Sequence, residues 1–174
     1  MEKNILVPLD GTEAGEVVLA KLENLVLKDV PGTPAQITLL RVIPIVNYNV
    51  LTTDKRAQLP YTESDQKELN QNAFEYLEQV AGKLKRRGFS VKTMVKTGAA
   101  AEEIVSAAHE ISANLIAMST HGRSGFIRWA IGSVAESVIR LEGKLPVLAI
   151  HATTQKKESQ VLPLGSLQSL IKHS

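Results

Sequence analysis

Apolar runs and helical periods alternate along this chain. Ile5-Leu6-Val7 is a continuous apolar run closed by Pro8, the pattern of a short buried strand. Val18, Leu22, Leu25 and Val26 then recur at helical spacing and predict a helix over 13–28, with Thr12 as its N-cap. Pro31-Gly32-Thr33-Pro34 breaks that pattern, and Ile37 to Ile43 predicts a second strand. An irregular connection, 44–63, is bracketed by Pro44 and Pro60. Leu69, Ala73, Tyr76, Leu77, Val80, Ala81 and Leu84 form one stripe of a helix over 64–87, with Gly88 as its stop. Phe89 to Val95 alternates as a third strand suited to a sheet edge. A helix over 100–111 is expected to bury Ile104, Val105, Ala108 and Ile111. Leu115 to Met118 reads as the fourth strand, Ser133 opens a helix ending near Gly143, and Leu145 to Ile150 reads as the fifth strand.

Apolar strands separated by helices indicate a mainly parallel sheet covered on both faces. Right-handed crossovers narrow this to an α/β doubly wound sheet, which binds ligands at the carboxyl ends of its strands, where strand order reverses. Two loops leave strand ends with suitable chemistry: Pro8-Leu9-Asp10-Gly11 and the loop that begins at Ser119. These are expected to face one crevice.

The second loop carries the strongest chemical signal. Ser119-Thr120-His121-Gly122 is followed by nine residues and then Gly132-Ser133-Val134, at the start of a helical pattern. A strand, a glycine-bearing loop and a helix start suit phosphate, because the first amides of a helix lack partners within it and point outward. Glycine lets a backbone N–H approach an anion closely, and Ser133 adds a hydroxyl. This predicts a phosphate grip.

Composition restricts the alternatives. At 174 residues, with 44% hydrophobic and 22% charged residues, the chain suits one globular domain. A net charge of +2 is too small to point to nucleic acid. The chain has no cysteine, which excludes disulfides, thiolate chemistry and cysteine-based zinc sites. It contains no apolar run long enough for a membrane span and no secretory leader pattern, so a cytoplasmic protein without membrane partners is expected.

Taken in order, these segments strongly resemble the universal stress protein family. The resemblance rests on Asn4-Ile5-Leu6-Val7-Pro8-Leu9-Asp10-Gly11-Thr12, Leu39-Leu40-Arg41-Val42-Ile43, and Gly98 with Ala101-Glu102-Glu103-Ile104. It continues through Asn114 to Gly125, Gly132-Ser133-Val134-Ala135-Glu136 and Pro146-Val147-Leu148-Ala149-Ile150. It implies a domain over 1–151 with a five-stranded parallel sheet of order 3-2-1-4-5 and helices on both faces, like adenine nucleotide alpha hydrolases. It also implies a homodimer formed through the last strand, Val147, Leu148, Ala149, Ile150 and His151.

In the ATP-binding branch of that family the signature is Gly, two residues, Gly, nine residues, Gly, then Ser or Thr. Gly122, Gly132 and Ser133 fit it, and Ser119 stands where the first Gly would be. The resemblance implies that Pro8, Leu9 and Asp10 line the adenosine side and that Val42 packs against adenine. Met118, Ser119, His121, Gly122, Arg123, Gly132, Ser133 and Val134 would complete the nucleotide site. The ligand implied is ATP, or AMP or ADP, with Mg²⁺ held mainly by the phosphates. At Ser119 a hydroxyl either crowds the ribose or α-phosphate or donates to it.

Plainer readings accompany these roles. Asp10 also suits a turn or helix cap. His121 has no orienting partner at motif spacing, so it shapes the loop and no catalytic residue is assigned. Arg123 and Arg128 are possible phosphate partners, and Trp129 suits an anchor against the core or a second subunit. Lys83 to Arg87 suits a helix C-terminus, and Glu102 and Glu103 suit the opposite pole. The tail 152–174 reads as a polar linker followed by a short apolar stripe of Leu164, Leu167, Leu170 and Ile171, which would dock on its own subunit or across the dimer. The 44–63 connection is expected to cover part of the crevice. The leading expectation is a dimeric, nucleotide-binding stress-response regulator with a protein partner. A nucleotide-free dimer and a slow nucleotide-processing enzyme are the alternatives.

Overall fold

The computed structural model describes residues 3–28, 35–44, 63–120 and 132–151. The 45–62 connection, the loop 121–131 with His121, Gly122, Arg123, Arg128 and Trp129, and the tail 152–174 lie outside the described residues.

Five strands run parallel in the order β3-β2-β1-β4-β5. They are β1 (Lys3–Pro8), β2 (Ala35–Ile43), β3 (Ser90–Thr97), β4 (Leu115–Thr120) and β5 (Val147–His151). Four helices connect them: α1 (Glu13–Lys28), α2 (Glu63–Lys85), α3 (Ala100–Glu110) and α4 (Ser133–Glu142). The chain winds outward from β1 through β2 to β3, then returns to the other side of β1 for β4 and β5. Strand order therefore reverses between β1 and β4, which opens a crevice at their carboxyl ends.

Alternation along the strands builds two cores. Ile5, Val7, Leu39 and Ala117 face α1 and α2, where they meet Val18, Leu22, Leu77, Val80 and Leu84. Leu6, Leu40, Ile116 and Met118 face α3 and α4, where they meet Ile104, Ala107, Ala108, Ala135 and Val138. Leu6, Leu22, Leu39, Leu40 and Leu77 are fully buried, each worth about 1.5–3 kcal/mol relative to exposure. Among the described residues no helix is long and apolar enough to cross a membrane.

Several element boundaries, and the burial along α3, differ from the sequence reading. β4 runs two residues beyond Met118 because Ser119 and Thr120 pair with Ile150 and His151. β5 begins at Val147 rather than Leu145: Pro146 has no N–H for the ladder, although its carbonyl accepts from the Ile116 amide at 3.0 Å. In α3, Ala107 takes an inner position, while Val105 and Ile111 are only partly buried, with Ile111 serving as the C-cap. The long helix ends at Lys85, two residues short of the expected 87, and a turn leads to Gly88 at φ +91°, with Phe89 N–H donating to the Leu84 carbonyl.

Candidate functional site

The wall of the crevice contributed by β1 is fixed by local chemistry. The Leu9 amide donates to the Leu40 carbonyl at 2.8 Å, which prolongs the β1–β2 pairing past Pro8. The chain then turns at Asp10 and Gly11, and Gly11 takes the left-handed conformation, φ +81°. Asp10 Oδ1 accepts from the Thr12 amide at 3.0 Å and from the Thr12 hydroxyl at 2.7 Å. Thr12 Oγ1 in turn accepts from the Gly15 amide at 3.0 Å, capping α1. Asp10 thus does take the turn-and-cap role, with one carboxylate oxygen turned toward the helix. The arrangement depends on Gly15, which the sequence reading passed over: a Cβ there would overlap Asp10 Oδ1. A glycine in the first turn of a helical pattern was the available signal.

Ser119 lies in β4, not in the loop that follows it. Its hydroxyl donates to the Gly15 carbonyl at 2.9 Å and accepts from the Val18 amide at 3.2 Å. Ser119 therefore stitches the sheet to the first turns of α1. Neighbouring side chains alternate, so Met118 points the other way and joins the core under α3 and α4. Val42 packs against that same core. The structure thus places Met118 and Val42 on one face and the Ser119 hydroxyl on the opposite one.

The amino end of α4 is built differently from that of α1. Its N-cap is Gly132, with φ −58° and ψ 149°, and no side chain caps the helix. The Gly132 carbonyl accepts from the Glu136 amide at 2.9 Å, so the first turn is formed, and among the described residues no side chain accepts from its leading amides. Ser133 and Val134 are exposed there. α3 also lacks a side-chain cap hydrogen bond, but Glu102 and Glu103 occupy its first turn, and the Glu103 side chain lies where a Cβ on Gly98 would go.

Beyond the crevice, β5 forms one border of the sheet. Ala149 and His151 are exposed, while Val147, Leu148 and Ile150 are partly buried. Among the described residues there is no group of three His, Asp or Glu side chains placed to hold a metal ion.

The profile of the universal stress protein family matches residues 1–151, the whole span from β1 to the end of β5. The chain belongs to the universal stress protein family. It is similar to Universal stress protein MJ0577 of Methanocaldococcus jannaschii, with 28% identity over 159 residues, covering 86% of this chain and 95% of that protein. The solved structure of MJ0577 superposes with a TM-score of 0.65 at 25% identity, covering 87% of this chain and 97% of that one. A universal stress protein from Arabidopsis thaliana with AMP bound shares the fold at a TM-score of 0.58 and 15% identity, covering 91% of this chain and 97% of that one. A universal stress protein in complex with cAMP does so at 0.57 and 17%, covering 87% and 98%.

Sequence reading missed two further residues near the site. Arg41 Nη1 donates to the Leu9 carbonyl at 3.2 Å, which braces the β1 wall from behind. Tyr76 of α2 donates to Glu16 Oε1 of α1 at 3.0 Å. Burial first, and the Glu16 carboxylate second, raise the Tyr76 phenol well above its ordinary value. Tyr76 was read only as part of the apolar stripe, because helical periodicity does not report what its hydroxyl meets.

Proposed function

We propose that this universal stress protein binds an adenine nucleotide, ATP with Mg²⁺ foremost, in the crevice between the carboxyl ends of β1 and β4. The observation that supports this most directly is the contrast between two helix starts. At the start of α1 the Thr12 hydroxyl, held by Asp10, accepts from the Gly15 amide, whereas α4 begins at Gly132, which has no side chain to cap with. An anion at the switch point gains most from the uncapped pole. In this reading Gly132, Ser133 and Val134 donate to phosphates, with Gly122 and Arg123 from the loop. Pro8, Leu9 and Asp10 border the adenosine, and Val42 and Met118 supply an apolar surface for the base. His121 shapes the loop, and Mg²⁺ is held mainly by the phosphates. AMP and cAMP in two proteins of the same fold support an adenine ligand.

Binding then acts on a homodimer that meets through β5, Val147 to His151, and biases which protein partner it engages. A ligand does this only by binding one state better than another. Isothermal titration of ATP with Mg²⁺ into the full chain tests the reading. Saturation near one ATP per chain, lost when Gly132 is replaced by a bulky residue, is the expected result. Affinity weaker than about millimolar, roughly −4 kcal/mol, overturns it and leaves a nucleotide-free dimer that acts through its surface.

A further inference from the structure

Val42 and Met118, the apolar surface proposed for the base, lie on the α3 and α4 side of the sheet, which leaves a separate region on the α1 and α2 side of the same carboxyl edge. Side chains alternate along β2, so Leu40 and Val42 go with α3 and α4, while Arg41 stands on the side of α1 and α2. There it lines a cavity of about 340 Å³ with Gly11, Ile43, Leu69, Asn72 and Tyr76. Ile43 is buried, Leu69 is half-buried, and Asn72 is an exposed amide at the rim. Among the described residues Arg41 is the one charged residue in that lining.

The guanidinium is under-used. Its Nη1 donates to the Leu9 carbonyl, and among the described residues no carboxylate pairs with it. The two acids that act on Tyr76 are directed elsewhere: Glu16 Oε1 takes the Tyr76 hydroxyl, and Asp10 Oδ1 takes Thr12. Arginine presents a planar fork that matches a carboxylate in two parallel hydrogen bonds. Tyr76 stays protonated, because burial and Glu16 both oppose its ionisation, so it adds no negative charge to the cavity. Glu16 and Asp10 still temper the local potential. That favours a monoanion with an apolar body over a multiply charged ion such as phosphate.

We propose that this cavity is a second ligand site, for a small monocarboxylate carrying a ring-sized apolar group. Its carboxylate sits on the Arg41 fork within reach of the Asn72 amide, and its body lies against Ile43 and Leu69. The site is distinct from the nucleotide crevice and does not depend on it.

Benzoate is the probe, titrated into the ¹⁵N-labelled full chain without nucleotide. The expected result is saturable shifts of the Gly11, Asn72 and Ala73 amides. Affinity should fall at least about tenfold in Arg41→Gln, and benzyl alcohol should bind the unchanged chain about tenfold more weakly than benzoate does. Leu69→Trp, which fills the cavity and leaves the Arg41–Leu9 bond in place, should abolish the shifts. The proposal is overturned by no saturation up to about 20 mM benzoate, by equal affinity in folded Arg41→Gln, by shifts that survive Leu69→Trp, or by shifts confined to Ser133 and Val134.

Discussion

Replacing Ser119 by alanine separates a structural hydroxyl from a ligand-binding one. In the folded chain that hydroxyl makes two hydrogen bonds to α1, at 2.9 Å to the Gly15 carbonyl and 3.2 Å from the Val18 amide. Each such bond has a net worth of about 0.5–1.5 kcal/mol. The Val18 amide retains its own helical acceptor four residues back, so its loss is only partial. The expected cost of Ser119→Ala is therefore about 1–2 kcal/mol, toward the lower half of the summed range. For a chain of this size that corresponds to a melting temperature lower by about 2–8 °C. Urea unfolding should show the same loss as a shifted midpoint with an unchanged slope. Because the hydroxyl faces α1, ATP affinity should change by less than about threefold once the protein is folded, under about 0.7 kcal/mol. The reverse pattern, unchanged stability with ATP affinity down tenfold or more, would mean that Ser119 turns to the nucleotide, and it would refute the placement.

Four further substitutions probe the rest of the framework. Gly15→Ala gains up to about 1 kcal/mol in helix propensity. Its Cβ displaces Asp10 from both bonds to Thr12, so denaturant unfolding should show a net loss of about 1–2 kcal/mol. Gly132→Asp gives α4 a capping carboxylate, so stability should hold or rise by a few tenths of a kcal/mol while calorimetry shows ATP affinity falling at least about tenfold. Tyr76 is held protonated in the fold, whereas an unfolded tyrosine ionises above about pH 10. The native state then binds the extra proton, so stability is intact below that pH and falls above it by up to about 1.4 kcal/mol per unit. In Tyr76→Phe this part of the alkaline decline should vanish from unfolding midpoints measured between about pH 9.5 and 11. Ala149→Glu places a charge at an exposed β5 position, so sedimentation should show dimers giving way to folded monomers, and an unchanged distribution would remove β5 from the interface.

The strands and helices were legible because the apolar positions of this chain serve one purpose at a time. Leu77, Val80, Ala81 and Leu84 repeat at helical spacing because that stripe enters a single apolar core between the helix and the sheet. Ile5, Leu6 and Val7 form an unbroken run because β1 is central and covered on both faces. Polar side chains were less legible, since their partners lie far off in the chain. Ser119 sits 101 residues from Val18, and Tyr76 sits 60 from Glu16. No local pattern reports such a pairing. The boundary of β4 was misjudged for the same reason: Ser119 and Thr120 look like loop residues, and only the ladder to Ile150 and His151 makes them strand. The Asp10 turn was readable as a turn, but its dependence on Gly15 required the fold.

Capping chemistry is what gives the two sides of the switch point different roles. Both α1 and α4 begin at the carboxyl edge of the sheet, and each carries a positive pole of about half an elementary charge. At α1 the chain uses its own side chains on that pole, Asp10 on Thr12 and Thr12 on Gly15, while Ser119 braces the second turn at Val18. At α4 it offers a glycine with no side chain to donate or accept. A helix start left uncapped forgoes about 1 kcal/mol of stability that Ser, Thr, Asp or Asn would supply relative to an apolar cap, and glycine recovers much of it only by leaving the amides open to other acceptors. Ser119 then braces the helix behind the capped start of α1, and Gly132 stands at a start that its own residue does not cap. On this division a serine at the first signature position ties β4 to α1, with its hydroxyl committed to Gly15 and Val18, and the nucleotide site proposed above does not require it as a phosphate donor.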